Sequence, residues 1–135
     1  MLNHKNLVLA IGLLAATAAP SLAQEAKEAK LLAVLKSGAS QEEKSAACRQ
    51  LARIATKQSV PTLASLLGDE KLSHMARYAM ETIPDPSVDE ALRDALATVK
   101  GRPLLGVIGS LGVRRDAKAV EAIARLLTAA DAGTA

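Results

Sequence analysis

Apolar side chains recur at steps of three and four along most of this chain, the period of a helix with one buried face rather than the alternation of a strand. Over 72–83 the stripe is Leu72, Met75, Ala76, Ala79, Met80 and Ile83. Over 87–99 it is Val88, Ala91, Leu92, Ala95, Leu96 and Val99, with Asp89, Glu90, Arg93 and Asp94 on the opposite side. A third stripe, Val120, Ile123, Ala124 and Leu127, predicts a further helix. Breakers separate the stripes: Ser37 with Gly38, Pro61, Gly68 with Asp69, Pro84 to Ser87, Gly101 with Pro103, and Gly112 to Asp116. Ser40 with Glu43, and Ser87 with Glu90, have the spacing of capping boxes that would start helices. Such short connections force successive helices to lie antiparallel.

The helical segments also resemble one another. Ser59 to Leu67, Ser87 to Leu96 and Ala119 to Leu127 align as first helices of a pair and begin roughly 30 residues apart. Residues 47–54 and 76–83 align as second helices, and 104–111 follows at nearly the same spacing. The segment Ala76, Arg77, Ala79, Met80, Ile83, Pro84, Asp85, and the segment from Gly106 through Leu111 and Gly112 to Arg114 and Asp116, resemble second helices of HEAT repeats and the turns after them. The resemblance covers about 40–127 and is nearest the short bacterial repeats related to phycobilisome lyases. It implies an all-α fold, a right-handed α-solenoid of antiparallel helical hairpins with two to three repeats and an N-terminal capping helix. It also implies a surface, lined by second helices, that binds a protein partner. The helix over 24–39 opens with Glu25, Ala26, Lys27, Glu28, Ala29 and Lys30, a polar stretch suited to a cap. The repeats extend over 40–128. Residues 129–135 form a short tail, or the start of an interrupted repeat, where a second helix would follow. That unpaired last helix implies either a longer array or self-association through the C-terminal helix.

Residues 1–23 carry a signal-peptide pattern: His4 and Lys5, an apolar run over 7–19, then Ser21, Leu22 and Ala23 as a small-x-small site that predicts cleavage between Ala23 and Gln24. The run is shorter than the roughly 20 residues a bilayer core demands, so no stable membrane span is expected after cleavage. Export to the periplasm or beyond follows. Subtracting Lys5 from the formal net charge of +3 leaves +2, with acids and bases interspersed. No basic block or interleaved aromatic suggests nucleic acid. The aromatic fraction is 1%, Tyr78 alone, so Leu, Ile, Val, Met and Ala must fill the core, a composition that favours close helices over strands.

No phosphate loop, Ser-His-Asp set or paired cysteine is present, and Cys48 reads as a small buried hydrophobe. Some HEAT relatives are iron-dependent hydroxylases with His-Glu pairs; His74 is the only histidine left after cleavage, so catalysis, a metal and a cofactor are not expected. Gly106, Gly109 and Gly112, three apart on one helix, suggest close helix approach or a ligand crevice. On the second helices His74, Arg77, Tyr78 and Glu81 share a polar face, with Arg77 and Glu81 spaced as an i,i+4 ion pair, and Arg49 and Arg53 extend that face toward an acidic partner. The function implied is a noncatalytic interaction or scaffolding module of the cell envelope. The alternatives are a structural segment of a larger exported protein and a bilin-lyase-like small-ligand binder.

Overall fold

The computed structural model describes residues 18–132. All regular structure among them is helical. The apolar run of the expected signal lies outside the described residues except at positions 18 and 19.

Each helix begins where local chemistry supplies a start. Helix α1 (Leu22–Lys36) is capped by Ser21, whose hydroxyl accepts from the Gln24 N–H at 3.2 Å. Helix α2 (Gln41–Ile54) opens on a complete capping box: Ser40 Oγ accepts from the Glu43 N–H, and the Ser40 N–H donates to Glu43 Oε2 at 2.8 Å. These bonds to the ionised carboxylate hold the Glu43 pKa below its usual value. A single 310 turn at Lys57–Ser59, capped by Thr56, leads into α3 (Val60–Ala64), where Pro61 loses nothing by lacking an N–H. Helices α4 (Ser73–Glu81), α5 (Pro86–Ala95), α6 (Gly101–Val113) and α7 (Val120–Ala132) follow. Gly101 sits at φ +64°, so the chain turns into α6 through a conformation that L side chains rarely adopt.

The start of α5 differs from the sequence expectation. Ser87 and Glu90 do not form a capping box; Asp85 is the N-cap, and its Oδ1 accepts from both the N–H and the hydroxyl of Ser87. Pro86 supplies the preset φ of the first helical position, which moves the helix start ahead of Ser87. Helix α7 runs to Ala132, so 129–132 continues the helix instead of beginning a tail.

The helices stack as an all-α solenoid. Second helices α2, α4 and α6 form one layer, with α4 between its neighbours, and α1, α3 and α5 form the other. Three hairpins result: α1 with α2, α3 with α4, and α5 with α6. Helix α1, expected only as a cap, is thus also the first helix of the first hairpin. The core runs between the layers through Leu51, Leu63, Met80, Ile83, Leu92 and Leu111. Truncating one of these to Ala would cost about 2–5 kcal/mol. Ala47, Ala76 and Ala79 are fully or almost fully buried, and their small side chains let the second helices approach closely. Cys48 lies in the same layer with no exposure, and burial raises its thiol pKa to about 11.

The two ends of the stack are unlike. At the first, Glu28 on α1 is buried, and its carboxyl accepts from the Thr56 N–H at 2.8 Å, the Thr56 hydroxyl and the Ser59 hydroxyl at 2.5 Å. Gln24 Nε2 adds a bond to Ile54 O. These bonds fasten α1 to the turn between the first two hairpins. At the other end, Ala122, Ile123 and Leu126 of α7 pack on the core while Val120 and Leu127 remain exposed.

Candidate docking face on the second helices

The six residues singled out by spacing divide into two groups. Arg49 and Arg53, one turn apart on α2, are exposed, as are His74 and Tyr78, one turn apart on α4. With 47–54 aligned on 76–83, Arg49 occupies the position of Tyr78 in the preceding repeat, so these two exposed side chains stand at equivalent places on neighbouring second helices, with Arg53 and His74 one turn away on the same helices. Tyr78 keeps 51% of its surface exposed although no other aromatic is available to the core.

Arg77 and Glu81 behave differently: both are half-buried and reach across to α6. Arg77 Nη1 donates to Gly106 O at 3.1 Å and, at a longer 3.4 Å, to Ser110 Oγ. The Ser110 hydroxyl in turn donates to Glu81 Oε1 at 2.6 Å. The i,i+4 ion pair expected between Arg77 and Glu81 is therefore replaced by a relay through Ser110. A serine on the neighbouring helix offers each of them a better-directed partner than they offer one another.

The same network corrects the reading of the glycines. A Cβ on Gly106 would stand 2.3 Å from Arg77 Cζ, so this glycine admits a guanidinium rather than a neighbouring backbone. Gly109 and Gly112 have nothing within 4 Å of a built Cβ, and close helix approach does not account for them.

A second set of cross-repeat bonds was hidden from spacing arguments. Arg114, just past α6, donates through Nε and Nη2 to the Asp89 carboxylate, through Nη1 to Ile83 O at 2.9 Å and through Nη2 to Asp85 O at 3.1 Å. One guanidinium thereby covers the carbonyls behind α4 and ties them to the first turn of α5. The Arg114 hydrogen bond holds Asp89 below the usual carboxylate range. Arg93 pairs with Asp116 in the same region. The turn after α6 is a Schellman motif: the Asp116 N–H bonds Leu111 O, the Arg115 N–H bonds Gly112 O, and Arg115 takes the left-handed position at φ 55°. The sequence signal for Arg114 was its place in the post-helix turn, which carried the family resemblance without revealing its partners.

Chemically, the exposed row offers cations and one amphipathic ring, the groups that anchor protein interfaces. Among the described residues no cluster of three His, Cys, Asp or Glu could hold a metal ion, and no helix is long and apolar enough to cross a membrane.

A family model for HEAT repeats matches residues 28–103, more than half of the chain. The match starts within α1, in keeping with its place in the first hairpin. Comparison with curated proteins and with solved structures found no match.

Proposed function

Since the chain belongs to the HEAT-repeat family, whose repeats generally mediate protein–protein interaction or scaffolding, we propose that it is a noncatalytic docking module of the cell envelope that binds a protein through its second-helix face. The observation that carries this is the exposed row of Arg49, Arg53, His74 and Tyr78, in which the sole aromatic of the chain stands outside the core. An exposed Tyr beside Arg residues is costly in solubility and useful at an interface, where those two residue types are enriched among binding hot spots.

The placement in the envelope rests on the signal pattern of residues 1–23. Removal before Gln24 takes away Ser21 and the first two residues of α1, and leaves Gln24 and Glu28 to hold the helix through Ile54, Thr56 and Ser59. Intact-mass analysis of the protein recovered from the envelope should give a chain starting at Gln24; a chain retaining Met1 there would overturn the placement. The exposed Val120 and Leu127 of α7 favour self-association, which sedimentation would register as a rise in mean mass with concentration and which a strict monomer would contradict.

The docking reading itself is tested by affinity capture from envelope extracts with the wild-type chain and with an Arg49→Ala, Arg53→Ala, Tyr78→Ala variant. One partner held by the wild type and lost by the folded variant supports it. Equal recovery by both moves the interface off this face.

A further inference from the structure

Positions that are covered in two hairpins lie bare on α7. With 59, 87 and 119 in register, Val60 and Leu67 of the second hairpin and Val88 and Ala95 of the third are buried, while their counterparts Val120 and Leu127 are 66% and 64% exposed. Helix α6 shows the same reversal. Aligned on one another, Cys48 of α2 is fully buried and Arg77 of α4 reaches across to α6, but Leu105 in the same place on α6 is 71% exposed. Both reversals fall on one side of the stack, and α7 touches the body of the stack less than any other helix.

Between α6 and α7 runs a groove of about 390 Å3, lined by Ile108, Leu111 and Gly112 on one side and Val120 and Ile123 on the other. In each of the three hairpins the place beside the first helix is taken by an antiparallel second helix; beside α7 no element among the described residues takes it. Leu105, Gly109 and Gly112 line the adjoining edge of α6 at helical spacing, and a Cβ on either glycine would meet nothing within 4 Å. The seat therefore has the shape and polarity of a place for one more helix.

The chemistry of α7 itself fits that seat. Its stripe of Val120, Ile123, Ala124 and Leu127 is flanked by the exposed ion pair of Glu121 and Arg125. A two-fold axis across α7 sets the α7 helices of two copies antiparallel, the orientation that joins the helices of every hairpin in the stack. Val120 then lies opposite Leu127 of the second copy, Ala124 sits beside the axis, and Glu121 of each copy comes beside Arg125 of the other. The edge is thus complementary to itself in charge as well as in polarity.

We propose that α7 of a second copy fills this seat, the two α7 helices pairing antiparallel so that each acts as second helix to the other. This rests on the self-association read from Val120 and Leu127 and names the segment that covers them. Gly109 and Gly112, which close approach within one chain does not account for, leave α6 open to the incoming helix. A helix of 13 residues is about 20 Å long, so a seat two helices wide has a footprint of roughly 400 Å2, small beside the about 800 Å2 per partner of a standard interface. The pairing is accordingly reversible and set by concentration.

The test is analytical ultracentrifugation of the full chain across a wide concentration range, with circular dichroism confirming that each variant is folded. Wild type should pass from monomer to dimer and no further, because a two-fold contact is closed. Leu127→Glu should abolish the dimer. Glu121→Arg and Arg125→Glu, both at exposed positions, should each weaken it roughly tenfold by leaving only cations or only anions along the seam. An equimolar mixture of those two variants should pair at least as tightly as wild type. Ala124→Cys should give a disulfide-linked dimer on mild oxidation and Ala33→Cys, exposed on α1, should not; the buried Cys48 does not compete. A wild-type monomer at every concentration overturns both this pairing and the self-association it rests on. A dimer that survives Leu127→Glu, that the mixture does not restore, or that Cys at position 124 does not lock overturns the pairing alone and moves self-association to another surface. Trapping of a different protein at position 124 in place of a second copy also overturns it. None of these results bears on the second-helix docking face, which stands or falls with capture through Arg49, Arg53 and Tyr78.

Discussion

Replacing the three glycines of α6 one at a time by alanine should give opposite signs. Alanine in a helix interior is favoured over glycine by about 1 kcal/mol. At Gly109 and Gly112 a new Cβ meets nothing within 4 Å, so each substitution should stabilise the fold by about 0.5–1 kcal/mol. At Gly106 the same gain is opposed by eviction of the guanidinium that lies 2.3 Å from the new Cβ. The displaced Arg77 loses its 3.1 Å bond to Gly106 O and the weaker one to Ser110 Oγ. A hydrogen bond from a charged group contributes about 1.5–3 kcal/mol, and the half-buried guanidinium recovers part of this from water. The balance for Gly106→Ala is destabilisation by about 0.5–2 kcal/mol. With Arg77→Ala already present the three atoms nearest the new Cβ are gone, and the same substitution should become stabilising. Urea denaturation followed by far-ultraviolet circular dichroism on the four single variants and the Gly106–Arg77 double variant reads both signs. If Gly106→Ala stabilises as Gly109→Ala does, or keeps its sign when Arg77 is gone, the seating of Arg77 on α6 is wrong.

Arg114→Ala should destabilise by about 2–4 kcal/mol, because it strips the carbonyls behind α4 and leaves Asp89 without its partner, and Arg114→Lys should recover only part of this; a shift in urea midpoint no larger than that of an exposed Lys→Ala control would refute the hub. Stability should fall on acidification. Asp85 and Asp89 have folded pKa values below the unfolded value of about 3.9, so their contribution is complete above that pH and is lost as pH falls through the folded values. The cause is bonding to Ser87 for Asp85 and to Arg114 for Asp89, and a pH series on Asp89→Asn should show a shallower acid limb. Cys48, fully buried and raised to about 11, should react with a thiol reagent only as fast as the fold opens, so reaction at the rate of an unstructured thiol would contradict its placement.

What could be read from the sequence was local. The stripe over 72–83 gave α4 because one helix face reports its own burial, and Ser40 with Glu43 gave the start of α2 because a capping box is complete within four residues. Partners that lie a whole repeat away were not legible. Arg77 and Glu81 looked like an ordinary helix pair because spacing sees only their own helix, whereas Ser110 reaches both from α6. Ser87 with Glu90 misled because Asp85 and Pro86, just upstream, make the stronger start. The end of α7 was placed too early because a second helix was expected where Ala129, Ala130 and Ala132, good helix formers with no breaker among them, simply continue the first.

The most direct measurement of the central claim is site-specific photo-crosslinking in cells, with the photoreactive residue placed at Arg49 or Tyr78 on the second-helix layer and at Pro61 or Glu90 on the first. A discrete adduct to one protein from positions 49 and 78, and none from 61 and 90, is the result expected of a second-helix docking face. Adducts arising equally from both layers, or only from 61 and 90, would contradict it.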